Sequence, residues 1–262
     1  MALAIYAETG FVPLLPGAML APVPQRAFFV DSAQPAWQAA LALIELHLPF
    51  VRRTLRPGDS LQRPGDRFTR LHVIHLGALK TSTTAANGRE QVADLYLKGD
   101  WIGLDGIASG YHICAAHAID TSEVWSLRYE VLLDAAARAP ELLHAMHIAM
   151  SRQCSRDCAW RFALASLPAE ARVADFLCSW SQALAERAMR ADHIQLHLTR
   201  AEIGNYLGLA LETVSRAFSG LVRRGLIRFD DPGRRYVAVP SISALIAYVE
   251  TSSQPGALRR MR

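Results

Sequence analysis

The fold is decided by residues 199–228, TRAEIGNYLGLALETVSRAFSGLVRRGLIR, near the C-terminal end of this 262-residue chain. Apolar residues recur at the positions that face inward when two short helices cross: Ile203, Leu207, Leu209, Val214 and Ala217. Gly204 leaves room where the helices approach closely, and Gly208 supplies the left-handed conformation of the turn. The stretch therefore predicts a helix-turn-helix.

The first turn of each predicted helix carries polar side chains suited to contacts with DNA. The second helix begins with Glu212, Thr213, Ser215 and Arg216, in the part of this motif that reaches base edges in the major groove. Thr199 and Arg200 begin the first helix and are expected to position it on the phosphate backbone. Thr199 and Glu202 also have the spacing of a capping box. The alternative interpretation is an ordinary helical hairpin with a charged solvent face.

The charge distribution agrees with a DNA-binding C-terminal part. Residues 165–262 carry 13 Arg and no Lys against 9 acidic residues, whereas residues 1–164 carry 15 basic and 15 acidic residues. The whole net charge of +4 therefore lies in the part that contains the helix-turn-helix. Phosphate binding needs such a local excess of positive charge, because neutralised phosphates release counterions.

Composition indicates a soluble protein with two domains. About half of the residues are apolar and a fifth are charged, as is usual for globular chains. The sequence contains no run of about 18 uncharged apolar residues, and its apolar N-terminus lacks a basic leading segment. We expect a cytoplasmic location and no contact with a membrane.

The pattern along the chain predicts an α+β fold in five segments. Residues 1–36 are rich in Pro, Ala and Gly and indicate a loosely ordered arm. Short β-type runs separated by Gly-containing turns predict a roll over residues 37–136. A long helix is expected over 137–166, a winged helix-turn-helix over 167–250, and a flexible basic tail over 251–262. The wing is predicted where the sequence DDPG joins two short β-type runs.

The long helix carries a repeat of three and four that predicts dimerisation. Two registers fit: 143, 146, 150, 153, 157, 160, 164, or 143, 147, 150, 154, 157, 161, 164. We expect five residues at the seam: Leu143, Met150, Cys154, Asp157 and Leu164. A carboxylate facing its symmetry mate is costly, so Asp157 is expected to weaken the dimer unless Arg156 or Arg161 pairs with it.

Two segments resemble the CRP/FNR family of transcription regulators, and within it the FNR-like branch. They are GDWIGLDGIASGYH at 99–112 and TRAEIGNYLGLALETVSRAFSGL at 199–221. The resemblance implies a double-stranded, cyclic-nucleotide-binding-like β-roll, a dimerisation helix and a C-terminal winged helix-turn-helix.

The same resemblance implies what the protein binds. Glu212, Ser215 and Arg216 would read a palindrome with TTGAT-like half-sites as a homodimer that acts mainly as an activator. Arg216 can donate two hydrogen bonds to guanine, and Glu212 can accept a hydrogen bond from the amino group of cytosine. The loop at 81–90 resembles a surface that contacts RNA polymerase, although it also fits an ordinary hairpin tip.

The sequence lacks the residues with which members of the family hold their two best-known ligands, cyclic AMP and an iron–sulfur cluster. The stretch HICAAHAID, at 112–120, lacks the Arg-Ser pair that holds cyclic AMP, so we expect no cyclic AMP binding. Residues 1–113 contain no Cys. The resemblance also places Trp125 where the internal cysteine ligand of the iron–sulfur cluster would lie. The spacing of the remaining thiols does not suit an iron–sulfur cluster: Cys114, Cys154, Cys158 and Cys178.

Other functions remain as alternatives. Histidines in the roll and long helix could serve a haem sensor, although unpaired histidines are more often structural: His72, His75, His112, His117, His144 and His147. Cys154 and Cys158 could form a redox or metal site or act as small apolar fillers. No catalytic or metal-site motif is present, so an enzyme and a DNA-independent interaction module are the weaker alternatives.

Overall fold

The computed structural model describes residues 36–84, 88 and 90–253, which form an α+β fold. The N-terminal arm expected at 1–36 lies almost wholly outside the described residues, as does most of the expected tail. A short helix, α1 (Ala36–His47), precedes the strands of the roll.

The roll consists of two four-stranded antiparallel sheets with a core between them. One sheet has the order β1-β8-β3-β6 and the other β2-β7-β4-β5, which confirms the predicted double-stranded roll. Apolar residues such as Ile74, Leu79 and Val124 are fully buried between the sheets. The strands are β1 (Phe50–Leu55), β2 (Ser60–Gln62), β3 (Arg70–Leu76), β4 (Ala78–Thr84), β5 (Glu90–Leu97), β6 (Trp101–Ile102), β7 (Ala115–Ala118) and β8 (Ser122–Arg128).

The repeated sequence RPGD makes the same turn twice in the roll. Gly58 and Gly65 adopt positive φ angles of 92° and 84°, a conformation that glycine adopts without steric cost. Asp59 and Asp66 each accept a hydrogen bond from the backbone N–H three residues earlier, at 2.8 and 2.9 Å. Local sequence therefore specifies these turns.

Two helices, rather than one, connect the roll to the DNA-binding part. The first is α2, Tyr129–Ala136, and the second is α3, Pro140–Ser166. The long helix thus begins at residue 140 rather than 137, because Pro140 occupies its first turn, where a missing N–H costs nothing.

The C-terminal part is a winged helix-turn-helix whose apolar core also includes Ala78 and Leu97 of the roll. Its wing is a three-stranded sheet, because β9 adds to the predicted hairpin. A last helix continues through residues 251 and 252, which were expected in the tail. The elements are α4 (Ala169–Ala185), β9 (His193–Gln195), α5 (Arg200–Leu207), α6 (Leu211–Arg223), β10 (Arg228–Phe229), β11 (Tyr236–Ala238) and α7 (Ile242–Ser252).

No helix in the described part of the chain combines the length and the apolar character needed to cross a bilayer.

Candidate DNA-binding interface

The two helices of the motif cross as the glycines predict. Gly208 ends α5 with a φ of 64°, in the left-handed region that favours glycine. A Cβ atom added at Gly204 would lie 2.6 Å from the carbonyl oxygen of Leu209, so only glycine fits there without movement. Ile203, Leu207, Val214 and Ala217 are buried, whereas Leu209 is half-buried. The predicted packing of the motif is confirmed.

The start of α5 has the predicted capping box. The backbone N–H of Glu202 donates to Thr199 Oγ1 at 3.2 Å, and Glu202 Oε2 accepts from the backbone N–H of Thr199 at 2.8 Å. Two N–H groups that a helix start leaves without partners are thus satisfied.

The expected reading surface lies on the outer face of α6. Glu212, Ser215 and Arg216 are exposed, and Thr213 is half-buried. One Arg216 guanidinium nitrogen donates to Thr213 Oγ1 at 3.3 Å, which leaves the other donors of the guanidinium for a partner. The opposite face holds Val214 and Phe218 in the core. This division presents one polar face of α6 to solvent.

The side chain of Arg200 packs against the protein instead of projecting toward solvent, as a phosphate contact would. Its guanidinium lies 3.7 Å from the centre of the Phe218 ring and donates to the carbonyl oxygen of Arg234 at 2.9 Å. Burial, followed by the nearby charge of Arg234, lowers the pKa of Arg200 to about 10. Arg200 therefore joins α5 to the wing, and its contact with phosphate stays a prediction.

The wing contributes basic residues that the sequence-based site did not include. Arg223, Arg228, Arg234 and Arg235 are exposed at the end of α6 and along the hairpin. The Arg-Arg pair that follows the DPG turn at 231–233 is the sequence feature that could have indicated them. Exposed arginines beside a recognition helix suit phosphate contacts, which position a protein without reading bases.

The expected dimerisation residues differ in exposure along one face of α3. Met150 and Cys154 are exposed, whereas Leu143, Asp157 and Leu164 are half-buried. Met146, which belongs only to the first register, is buried against the roll, and Gln153 from the same register donates to Asp94 at 2.6 Å. The described contacts thus leave the second register freer for a partner.

Asp157 accepts a hydrogen bond from Gln153 Nε2 at 3.1 Å. Arg156 pairs with Asp100 at 3.2 Å and lies 3.7 Å from Asp94. The guanidinium of Arg156 is thereby directed toward the roll rather than toward Asp157, so that possible neutralising pair is not formed.

The four cysteines lie in three separate places. Cys114 is in the roll, Cys154 and Cys158 are exposed on α3, and Cys178 is buried in α4. Burial, together with the charge of Asp105, raises the pKa of Cys114 to about 11, which disfavours the thiolate that a metal requires. The thiols present therefore do not fit as the ligand set of one iron–sulfur cluster.

The histidines of the roll make contacts that suit structural roles. His72 Nδ1 lies 2.8 Å from Ser126 Oγ, and His75 stacks on Trp125 with 4.6 Å between ring centres. Burial, followed by the charge of Arg53, lowers the pKa of His72 to about 3. Within the described residues, no three His, Cys, Asp or Glu side chains are grouped as a metal site.

Comparison with known proteins matches the two parts to two families. Residues 52–139 match the family described as cyclic nucleotide-binding domain, and residues 171–248 match the Crp-like helix-turn-helix domain. Both matches agree with the roll and the winged motif seen in the structure.

Individual relatives cover most of the chain. The fumarate and nitrate reduction regulatory protein of Salmonella typhimurium is 32% identical over 196 residues, which are 75% of this chain and 77% of that protein. The transcriptional activator protein Anr of Pseudomonas protegens is 35% identical over 67% of this chain and 72% of its own length. The structure of FixK2 from Bradyrhizobium japonicum superposes with a TM-score of 0.64 at 26% identity, covering 76% of this chain and 97% of FixK2. The chain belongs to the CRP/FNR family of transcription regulators.

Proposed function

We propose that this protein is a homodimeric activator that binds a palindrome with TTGAT-like half-sites. The observation that carries the proposal is the exposed set of Glu212, Ser215 and Arg216 on α6, held by a core that fixes the helix. Arg216 can donate two hydrogen bonds to guanine, Glu212 can accept from cytosine, and Ser215 can contact a base edge or a thymine methyl. The names of the relatives, which include a transcriptional activator, agree with this role.

The second copy is proposed to pack along α3. In that arrangement two recognition helices lie about 34 Å apart, which is one turn of B-form DNA. The exposed side chains of Met150 and Cys154 lie on the side that the second register offers to a partner. A family that reads palindromes needs such twofold symmetry, because each half-site is read by one copy.

The roll is proposed to act without cyclic AMP. A carboxylate oxygen of Asp105 accepts the backbone N–H groups of Ile113 and Cys114 at 2.8 and 3.1 Å. Asp105 thus places negative charge against the stretch HICAAHAID, which itself lacks Arg. An anionic phosphate there would meet repulsion and no partner charge.

The regulator is proposed to hold no iron–sulfur cluster, because its four cysteines are divided among the roll, α3 and α4. The alternative in the same family is a haem- or redox-responsive regulator with a nitric oxide or oxygen input through His or Cys residues. Cys154 and Cys158, exposed on α3, are the candidate thiols for it, whereas the contacts of His72 and His75 suit structural roles.

Activation requires a contact with RNA polymerase, and the β4–β5 hairpin is the proposed surface. Residues 85–87 and 89 of the loop at 81–90 lie outside the described residues, so the support for this surface is the family resemblance of the sequence.

Operator titration and transcription in vitro test the proposal together. Fluorescence anisotropy would compare a duplex carrying TTGAT and ATCAA half-sites, centred about one helical turn apart, with a scrambled duplex at physiological salt. We expect the palindrome to bind about 10³-fold or more tightly, as specific regulators do, and to support activated transcription. Equal binding to both duplexes would exclude sequence-specific regulation through this motif.

A further inference from the structure

The side-chain amide of Asn205 joins the DNA-binding motif to the free edge of the roll. β5 is an edge strand of its sheet, and an edge strand presents unpaired N–H and C=O groups. The backbone N–H of Val92 donates to Asn205 Oδ1 at 2.6 Å, and Asn205 Nδ2 donates to the carbonyl oxygen of Glu90 at 2.6 Å. Since an amide carries both a donor and an acceptor, it takes the place of a neighbouring strand's peptide group.

Two further bonds hold the same surfaces together. Gln91 Nε2 donates to the main-chain carbonyl oxygen of Asn205. Lys80 Nζ, on the adjacent strand β4, lies 2.6 Å from Glu202 Oε1, and both side chains are largely shielded from solvent. We call these contacts between β4–β5 and α5 the Asn205 clamp.

The Asn205 clamp leaves the reading surface open. Glu212, Ser215 and Arg216 stay exposed while the clamp is closed, so the clamp does not block access of DNA to α6. Its effect is to fix the orientation of the helix-turn-helix relative to the roll. Because the roll continues through α2 into α3, that orientation also determines where α6 lies relative to the proposed dimer axis.

We propose that Asn205 is a positioning residue, which sets the spacing of the two recognition helices for a palindrome. This inference rests on the proposed function, since it needs a dimer that binds two half-sites. A single half-site needs only one recognition helix and is indifferent to the spacing. Arg187, after the end of α4, still pairs with Asp100 at 3.1 Å and donates to the carbonyl oxygen of Lys98 at 2.7 Å when the clamp is lost. Loss of the clamp should therefore loosen the motif without releasing it, weaken binding to the palindrome and spare binding to a half-site, because a loosened motif must be ordered again when both helices bind.

Two substitutions separate the donor and acceptor roles of the amide. Asn205→Ala removes both side-chain hydrogen bonds to β5 and leaves the one that Gln91 donates to the main-chain oxygen of residue 205. Asn205→Asp keeps an acceptor for Val92 but places a carboxylate against the carbonyl oxygen of Glu90, where no donor remains. Gln195→Ala is the matched control, because it removes an exposed side-chain amide from β9 of the same domain.

The test measures affinity by fluorescence anisotropy for the full palindrome and for a duplex with one half-site scrambled. For Asn205→Ala and Asn205→Asp we expect about a tenfold loss on the palindrome and less than a twofold loss on the half-site, with Gln195→Ala unchanged on both. An unchanged or raised affinity for the palindrome would overturn the inference. An equal loss on both duplexes would also overturn it, because that result reports damage to the motif itself. If the native protein shows no preference for the palindrome, the proposed function fails and the inference fails with it.

Discussion

Gly204→Ala tests the packing that defines the helix-turn-helix. The added Cβ would lie 2.6 Å from the carbonyl oxygen of Leu209 and 3.3 Å from Val214 Cγ2, whereas ordinary contact begins at 3.4 Å. The turn must therefore shift by about 0.8 Å, and its own hydrogen bond, from the N–H of Leu209 to the carbonyl oxygen of Gly204 at 2.8 Å, resists that movement.

The magnitude follows from two opposing terms. Overpacking a close contact costs about 1–3 kcal/mol, and replacing glycine by alanine inside a helix returns up to about 1 kcal/mol. We expect a net loss of about 1–2 kcal/mol in the free energy of unfolding, measured by urea denaturation, together with weaker operator binding because α6 is displaced.

Gly225→Ala serves as the control for this experiment. Gly225 has a φ of 70° and no neighbour within 4 Å of an added Cβ, so its cost of about 1 kcal/mol comes from backbone strain alone. Operator binding by that variant should change little. If Gly204→Ala is as stable as the native protein and binds the operator equally well, that result would contradict the close contact between α5 and the turn that leads to α6.

Two further predictions concern the dimer and the roll. Asp157→Asn should tighten the homodimer in sedimentation experiments, because it removes like-charge repulsion across the seam and keeps an acceptor for Gln153; an unchanged dissociation constant would contradict this role. Stability should fall as the pH drops from 6.5 toward 3, because His72 binds a proton in the unfolded chain long before its pKa of about 3 in the folded chain allows it, with a slope of up to about 1.4 kcal/mol per pH unit. His72→Gln should flatten that slope in denaturant titrations across this range, and a profile identical to that of the native protein would refute the assignment.

Local sequence was sufficient to predict the structural features that depend only on neighbouring residues. Three predicted features each depend on a few neighbouring residues: the Gly-containing turns of the roll, the Thr199–Glu202 capping box and the two glycines of the motif. These features were predicted correctly because no distant contact competes with them. The same holds for the polar face of α6, whose spacing is set by the helix itself.

Features that depend on distant partners were missed. β9 has only three residues and forms because β11 lies beside it, so no sequence period marks it. Arg200 lies at the start of a helix, where the sequence predicts a contact with phosphate. In the structure its guanidinium packs on the ring of Phe218 and donates to the carbonyl oxygen of Arg234. The role of Asn205 requires the edge of β5, which is more than a hundred residues away in the chain.

The predicted dimerisation seam of α3 fits two registers because the helix also packs against the roll. Met146 and Gln153 satisfy a heptad pattern, but the roll uses them for its own packing. A helix that serves two partners carries two overlapping apolar stripes, and periodicity alone does not assign them.

The proposed reading of bases in a palindrome depends on Arg216, whose loss has a distinct effect on each duplex. Anisotropy titrations would measure Arg216→Ala and the native protein on the TTGAT palindrome and on duplexes with the guanine of each half-site replaced. We expect the substitution to cost about 1–3 kcal/mol on the native palindrome and to remove discrimination at that guanine while discrimination elsewhere persists. An equal loss on every duplex, or no loss at all, would contradict base reading by Arg216.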